Sequence, residues 1–251
     1  MEKSASKSTG RREWAAEVLL LTWAAGTVDA ISYMGLRHVF TANMTGNAVL
    51  LGISIGQGQG LAATRSLLAL VAFIVGVALG ALLVQLRSTE GEVARALIWP
   101  VAAEAIVLGA FALVWHLPVL PHNDVTLYAL IALSAIAMGI QSAAVRRLAL
   151  PGIATTVITG TITSLVAGLI RWLHLTIISP TDDAENAVAP RSGRQMGLQA
   201  GVFLVYGAAA AASGFFQERI PLAVGVSPFV ATLLVLVAAV YSARKAHFSA
   251  E

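Results

Sequence analysis

Apolar residues of this chain are gathered into eight segments, each bounded by charged residues, proline or glycine. The segments cover residues 15–35, 42–57, 62–86, 96–116, 124–145, 150–172, 195–216 and 222–243. A helix needs about 20 apolar residues to cross the hydrocarbon core of a bilayer, and six of the segments have this character. We therefore predict an all-α fold, a polytopic helical membrane protein with a single membrane domain over 1–251.

The second and sixth segments differ from the other six. Segment 42–57 is short for the roughly 30 Å of hydrocarbon, and both segments are rich in glycine and polar side chains. Polar or irregular backbone is tolerated at membrane depth where neighbouring protein satisfies it. The sequence therefore predicts that these two segments are short or re-entrant, and eight full spans remain the alternative.

The positions of the basic residues favour six spans over eight. With six spans, only Arg37, Arg65 and Arg219 of the 16 Lys and Arg residues lie outside the cell, whereas eight spans would place twice as many there. Short cytoplasmic loops are enriched in Lys and Arg. We therefore expect both termini in the cytoplasm, with 1–13 as a basic N-terminal segment and the polar stretch 177–194 as a linker loop.

Composition supports membrane insertion and narrows the chemistry. Charged residues make up 12% of the chain, whereas a soluble domain carries about 25%. The net charge is +3, but the basic residues form no stripe with exposed aromatics, so we expect no nucleic-acid partner. Cysteine is absent, the five histidines lack metal-ligand spacing, and no nucleophile-elbow motif is present. We predict no metal, no cofactor and no catalytic residue.

Two stretches of the chain resemble each other. One begins at Gly26 with GTVDAISYMGLRHVFTANMTGNAVLLG, and the other begins at Gly139 with GIQSAAVRRLALPGIATTVITGTITSLVAG. Each is followed by two further apolar segments, which indicates a repeat of about 114 residues, with 14–117 as the first copy and 124–243 as the second. Three spans per copy would invert the second copy, as is typical of secondary transporters. Shared membrane composition is the alternative explanation.

Asp29 lies about two-thirds of the way through the first apolar segment. A carboxylate at that depth is costly unless it is paired, hydrated or protonated. Asp29 is either a proton or cation site or a structural acceptor, whose donors are a half-helix N-terminus or polar residues of the next segment, namely Thr41, Asn43, Thr45 or Asn47. Asn43 and Asn47 share one helix face at four-residue spacing, and this face either lines a pathway or joins helices.

Four further polar residues are candidates for the same pathway. Glu104 is the other deeply placed acid, and Gln141 lies within the fifth segment. Thr159 and Thr161 belong to the second copy, which keeps hydroxyl residues, lacks both asparagines and has Ser142 where the first copy has Asp29. An interhelical hydrogen bond is the alternative role of Gln141.

Two glycine pairs at four-residue spacing predict close helix packing. The pairs are Gly52 with Gly56 and Gly76 with Gly80. Small residues at this spacing let two helices approach closely. The packing is expected within the chain or between copies in a homo-oligomer.

The stretch from Gly26 to Gly52, with the FTANMTGN signature that begins at Phe40, resembles the YoaK family of bacterial inner-membrane proteins. The resemblance extends over most of the chain, including its length and helix count. It implies a multi-pass protein of the bacterial inner (plasma) membrane. The function of this family is unknown, so the resemblance implies no substrate and no catalytic residue.

Together these features predict a small transporter or channel-like permease, in which Asp29 and the Asn43–Asn47 face line a path between the two copies. The expected partners are the lipid bilayer and a small molecule or ion. A non-transporting membrane scaffold or sensor is the first alternative, and a membrane-embedded enzyme is the second. A water-filled cavity at Asp29 would favour transport, whereas a buried, fully hydrogen-bonded Asp29 would favour a scaffold.

Overall fold

The computed structural model describes residues 14–87, 93–116, 124–148, 150, 152–174 and 182–248. In this part of the chain the backbone forms eight α-helices and no strand. The helices are α1 (Ala15–Gly35), α2 (Met44–Gly56), α3 (Gly60–Arg87), α4 (Val93–His116), α5 (Asp124–Arg147), α6 (Ile158–Leu173), α7 (Asp182–Phe216) and α8 (Pro221–Phe248).

Among the described residues, six helices are long and apolar enough to cross a membrane, namely α1, α3, α4, α5, α7 and α8. The other two, α2 and α6, have 13 and 16 residues. At about 1.5 Å per residue, neither reaches across the roughly 30 Å of hydrocarbon. The chain is therefore a polytopic helical membrane protein that lies in a lipid bilayer, and the prediction of six spans with two shorter helices is confirmed.

Four helices form the centre of the bundle. α1 packs against α8, α8 against α4, and α4 against α5, while α5 closes the ring with a looser contact to α1. α3 packs on α5, and α7 packs on α1. α2 lies against α3, and α6 lies against α7, so the two short helices are at the periphery.

Three apolar clusters lie along the bundle and give the direction of the central helices. The near end, where α1 begins, contains Leu21, Val101, Val145 and Val235. The middle cluster contains Val28, Leu108 and Met138. The far-end cluster contains Ile31, Phe111, Ile131 and Val224. α1 and α4 therefore run from the near end to the far end, whereas α5 and α8 run in the opposite direction.

Glycines give the direction of α3. A methyl group at Gly76 would overlap the backbone of Ile136, and one at Gly80 would lie 2.9 Å from the Cα atom of Ile140. α3 therefore runs parallel to α5, from the far end to the near end. Gly76 and Gly80 therefore lie where α3 and α5 approach each other closely.

Glycines also allow α1 and α7 to approach each other closely. A Cβ atom at Gly26 would lie 2.7 Å from the carbonyl oxygen of Tyr206, and one at Gly201 would lie 3.2 Å from the side chain of Leu19. α7 therefore runs parallel to α1. Close approach at a glycine increases the van der Waals contact that holds membrane helices together.

The chain turns back into the bundle before α2. Leu36 and Val39 lie in the far-end cluster, and Ala42 lies in the middle cluster. α2 begins two residues after Ala42, and the next helix, α3, starts from the far end. α2 is therefore re-entrant, with its N-terminus in the middle of the bundle and its C-terminus at the far end.

α6 is placed in the opposite sense. It follows Thr155, which is hydrogen-bonded to Gln141 inside the bundle, and it is followed by α7, which runs from the near end. α6 therefore leads from the interior to the near end. α2 and α6 thus point their N-termini inward and their C-termini to opposite ends of the bundle.

Two expectations are corrected here. The linker loop expected over 177–194 is wrong from Asp182 onward, because α7 begins there, and residues 177–181 lie outside the described part. Alanine, the best helix former, recurs in this stretch. Gly52 and Gly56 have no neighbouring atom within 4 Å of a Cβ placed on them, so they pack against no other helix in the described part of the chain.

Candidate functional site

The carboxylate of Asp29 on α1 lies at the N-terminus of the re-entrant helix α2. Its Oδ1 accepts hydrogen bonds from the backbone N–H groups of Thr41 at 2.9 Å, Ala42 at 2.7 Å and Asn43 at 3.2 Å. Its Oδ2 accepts a hydrogen bond from the hydroxyl of Tyr206 on α7. A negative group is favourable here because backbone N–H groups at a helix N-terminus have no partner within the helix. We call Asp29, residues 41–47 and Tyr206 the first junction.

A tight turn brings the backbone to Asp29. Arg37 and His38 have φ angles of 60° and 62°, a left-handed conformation that residues other than glycine rarely adopt. The ring of Tyr33 stacks on Phe40 with centroids 5.1 Å apart and meets the edge of His38 at 4.9 Å. These ring contacts help to hold the turn in its unfavourable conformation.

The two asparagines of the signature build the start of α2. Asn47 accepts a hydrogen bond from the N–H of Phe40 at 3.0 Å through Oδ1 and donates to the Phe40 carbonyl through Nδ2. Asn43 caps the helix by accepting from the N–H of Gly46 at 3.1 Å. Both side chains are therefore satisfied by their own segment and do not form one shared polar face.

A second junction, made by Gln141, Ser142 and residues 154–161, stands at the start of α6. The hydroxyl oxygens of Ser142 and Thr156 are 2.9 Å apart. Gln141 Nε2 donates to Thr155 Oγ1 at 2.8 Å and to the carbonyl of Leu21 on α1 at 3.0 Å. All the side chains that make these bonds are neutral.

Thr161 has the same role at the second junction that Asn47 has at the first. Its Oγ1 accepts from the N–H of Ala154 at 3.3 Å and donates to the Ala154 carbonyl at 3.4 Å. In both cases the side chain reaches back seven residues to the segment before the short helix. The bonds at Thr161 are longer, and a single hydroxyl replaces an amide that has separate donor and acceptor atoms.

Glu104 lies apart from both junctions, where α4 and α8 cross. Its side chain is 0% exposed, and its Oε1 accepts a hydrogen bond from Thr232 Oγ1 of α8 at 3.1 Å. Its Oε2 is buried and has no hydrogen-bond partner among the described residues. Pro100 and Pro228 each lie one helical turn before one of these two residues.

The predicted pathway residues are therefore distributed over three places. The first junction contains Asp29, Thr41, Asn43 and Asn47, the second contains Gln141 and Thr161, and Glu104 stands alone. Thr45 and Thr159 are exposed on α2 and α6. Tyr206 and Thr232 were not among the predicted site residues, although a hydroxyl inside an apolar segment was an available signal for both.

The two acids among these residues, Asp29 and Glu104, are enclosed by the protein. A cleft at the near end is lined by apolar residues such as Leu21, Val101 and Val235, and neither Asp29 nor Glu104 lines it. Asp29 itself is 4% exposed. Among the described residues, no three His, Asp or Glu side chains are grouped to hold a metal ion. The site therefore offers buried carboxyl groups and the inward-pointing N-termini of two short helices.

Comparison with known proteins gives a family and one near relative. The family described as protein of unknown function (DUF1275) matches residues 18–241. The chain is 44% identical over 149 residues to the UPF0700 transmembrane protein YoaK of Bacillus subtilis (strain 168), a match that covers 59% of this chain and 63% of the relative. The match thus spans less than two-thirds of the relative's length. No solved structure matches the chain significantly.

Proposed function

The chain belongs to the DUF1275 family, whose description assigns no activity, and from the geometry we propose that it is a small permease of the bacterial plasma membrane. It carries a small solute or ion between two inverted halves, one containing α1–α4 and the other α5–α8. The observation that carries this proposal is the placement of two re-entrant helices, which begin inside the bundle and leave it at opposite ends. Inverted halves with such broken elements are typical of secondary transporters.

The contacts between helices support the inverted halves, because nearly every packing contact has a counterpart. α1 packs on α7 as α5 packs on α3, and α1 packs on α8 as α5 packs on α4. α2 lies on α3 as α6 lies on α7. α1 and α5 run in opposite directions, which is the relation expected when each half has three spans.

Residues at matching positions support the same relation. Gly26 and Gly139 both allow close approach, the first to α7 and the second to α3. The bonds between Asn47 and Phe40 recur between Thr161 and Ala154. This correspondence supports a repeat, because the backbone N–H and C=O groups that pair with these side chains lie seven residues before Asn47 and Thr161 alike.

In this proposal the structure is the closed state of the permease. Opening separates one short helix from the central ring and exposes the inward N-terminus of that helix. The hydroxyl and amide side chains that then face the opening suit a neutral polar solute, because Asp29 already occupies the N–H groups of the first junction. We place both termini in the cytoplasm, so the far end of the bundle faces the cell exterior.

Single-cysteine variants test this proposal, because the chain has no cysteine of its own that would react with a thiol reagent. Ala42→Cys and Thr156→Cys place a thiol at corresponding positions of the two junctions, and both positions are buried. We expect an impermeant thiol reagent to reach the thiol of Ala42→Cys only from the exterior and that of Thr156→Cys only from the cytoplasmic side. Blocking either thiol should also stop solute flux into vesicles. Gln59→Cys, on an exposed turn, is the control for reagent delivery.

A non-transporting scaffold is the second candidate, and the burial of Asp29 favours it. Each carboxylate oxygen of Asp29 is hydrogen-bonded, as expected of a structural residue. A scaffold predicts that Ala42→Cys and Thr156→Cys stay unlabelled from either side and that vesicles containing the protein take up solutes no faster than protein-free vesicles. That pair of results would overturn the permease.

A further inference from the structure

Glu104 and Asp29 are both buried carboxyl groups, but their surroundings differ. Asp29 receives hydrogen bonds from three backbone N–H groups and one hydroxyl, which suit an ionised carboxylate. Glu104 receives one hydrogen bond, from Thr232, and its Oε2 is buried without a described partner. A buried carboxylate with so few donors is expensive, whereas the neutral acid is tolerated.

Among the described side chains, no cation is placed to offset a charge on Glu104. The helices packed on α4 are α3, α5 and α8. Their charged residues with described side chains lie near the helix ends and away from the crossing, and they are Arg65, Asp124, Arg146, Arg147, Arg244 and Lys245. In this part of the chain, the group that faces the Glu104 carboxyl with a polar atom is the Thr232 hydroxyl.

From this arrangement we propose that Glu104 is a proton-binding site at the crossing of α4 and α8. In the closed state its carboxyl group holds the proton. When the two helices separate, the O–H bond breaks, the proton passes to water that reaches the crossing, and the carboxylate remains until it is protonated from the other side. The proposal rests on the permease function and names the proton as its coupling ion.

The location of Glu104 suits this task. Thr232 and Glu104 each follow a proline by four residues, so the two helices meet at equivalent points of the two proposed halves. Such a point lies midway between the ends of the bundle. In the proposed permease it is exposed to water first from one side of the membrane and then from the other. Pro100 and Pro228 each remove one backbone hydrogen bond, which makes the helices easier to bend there.

Infrared spectroscopy of the full-length protein in lipid vesicles tests the proton site directly. A protonated carboxyl group has a carbonyl stretching band that a carboxylate lacks. We expect this band in the wild type at neutral pH, its loss in Glu104→Gln, and its retention in Asp29→Asn. Thr232→Val should shift the band to higher frequency by removing the hydrogen bond to Oε1, which identifies the band even if Glu104→Gln folds poorly. A band that Thr232→Val leaves unchanged, or no band in the wild type, overturns the proposal.

A flux measurement separates this proposal from the permease proposal. Uptake of a panel of radiolabelled solutes into vesicles is measured with and without an imposed pH gradient. We expect the gradient to accelerate uptake in the wild type and the acceleration to be lost in Glu104→Gln. Uptake with unchanged dependence on the gradient in Glu104→Gln would overturn the proton site and leave the permease standing. Absence of uptake in every variant, with the infrared band present, would overturn the permease and leave the proton-binding carboxyl.

Discussion

At the first junction a carboxylate accepts hydrogen bonds from three successive backbone N–H groups, whereas at the second junction neutral side chains hold the turn. Both junctions nevertheless start a short helix inside the bundle. The charge of Asp29 is therefore not required to bury the N-terminus of a re-entrant helix, since Ser142 and Gln141 achieve this without one. What Asp29 adds is a bond to Tyr206, which ties α7 to α1 and α2.

The energetic consequences of the two designs also differ. A buried carboxylate that keeps all its donors is stable, but loss of the carboxylate leaves every donor unsatisfied at once. At the second junction the bonds are divided between Ser142 and Gln141, so loss of either leaves the other in place. The first junction concentrates its stability in one residue, and the second distributes it.

The largest expected effect is that residues following α2 and α6 are labelled from opposite sides of the membrane. Gln59 follows α2 and His174 follows α6, and both are exposed. If the junctions are inverted copies, a cysteine at 59 is labelled by an impermeant thiol reagent in intact cells, and a cysteine at 174 is labelled only after the membrane is permeabilised. Labelling of both from the outside would contradict the inverted halves.

The next effect is a loss of stability on removing Asp29. Asp29→Ala leaves the N–H groups of Thr41, Ala42 and Asn43 and the Tyr206 hydroxyl without their acceptor. At about 1–3 kcal/mol for each unsatisfied buried group, we expect a loss of about 4 kcal/mol or more. Unfolding of the purified protein in denaturing detergent measures it.

Ser142→Ala is the matched control at the second junction. It removes the hydroxyl that contacts Thr156 and donates to the Met138 carbonyl, and it is expected to cost about 1 kcal/mol, because the Met138 carbonyl keeps its bond within the helix. Equal losses in Asp29→Ala and Ser142→Ala would show that the two junctions do not differ in the way described. Asp29→Asn, which keeps an acceptor oxygen, should lie between the two alanine variants.

Much of the fold follows from the sequence, because hydrophobic length identifies the spans, while the shortness of 42–57 and the polar content of both 42–57 and 150–172 set these two segments apart. The position of Asp29 beside the 41–47 segment also follows, since a carboxylate at that depth requires donors close by. The partnership with Tyr206 does not follow, because the contact between α1 and α7 depends on the packing of residues far apart in sequence. The start of α7 at Asp182 was missed because the charge and proline of that stretch obscured its helix propensity.

A smaller effect is expected from the glycines that bring helices together. Gly26→Ala on α1 and Gly139→Ala on α5 would place a methyl group against the backbone of α7 and α3, respectively. Overpacking of this kind costs about 1–3 kcal/mol, and equivalent positions should lose similar amounts in thermal unfolding. Gly52→Ala, which meets no atom within 4 Å, is the control and should be neutral or stabilising by up to about 1 kcal/mol. A large loss in Gly52→Ala would reveal a contact with a second copy of the chain.

The smallest expected effect compares Asn47 with Thr161, which close the turns before α2 and α6. Asn47→Ala removes an acceptor and a donor that pair with the backbone of Phe40, and Asn47 is 0% exposed, so water does not readily replace them. We expect a loss of about 1–2 kcal/mol. Thr161→Ala removes longer bonds to Ala154, of 3.3 and 3.4 Å, and should cost about 0.5–1 kcal/mol. Thermal unfolding of both variants in the same lipid measures the difference.

Asn47→Thr, which places the side chain of the second junction at the first, should recover part of the loss if the two turns have the same geometry. A variant no more stable than Asn47→Ala would show that the turns differ in backbone geometry as well as in side-chain chemistry.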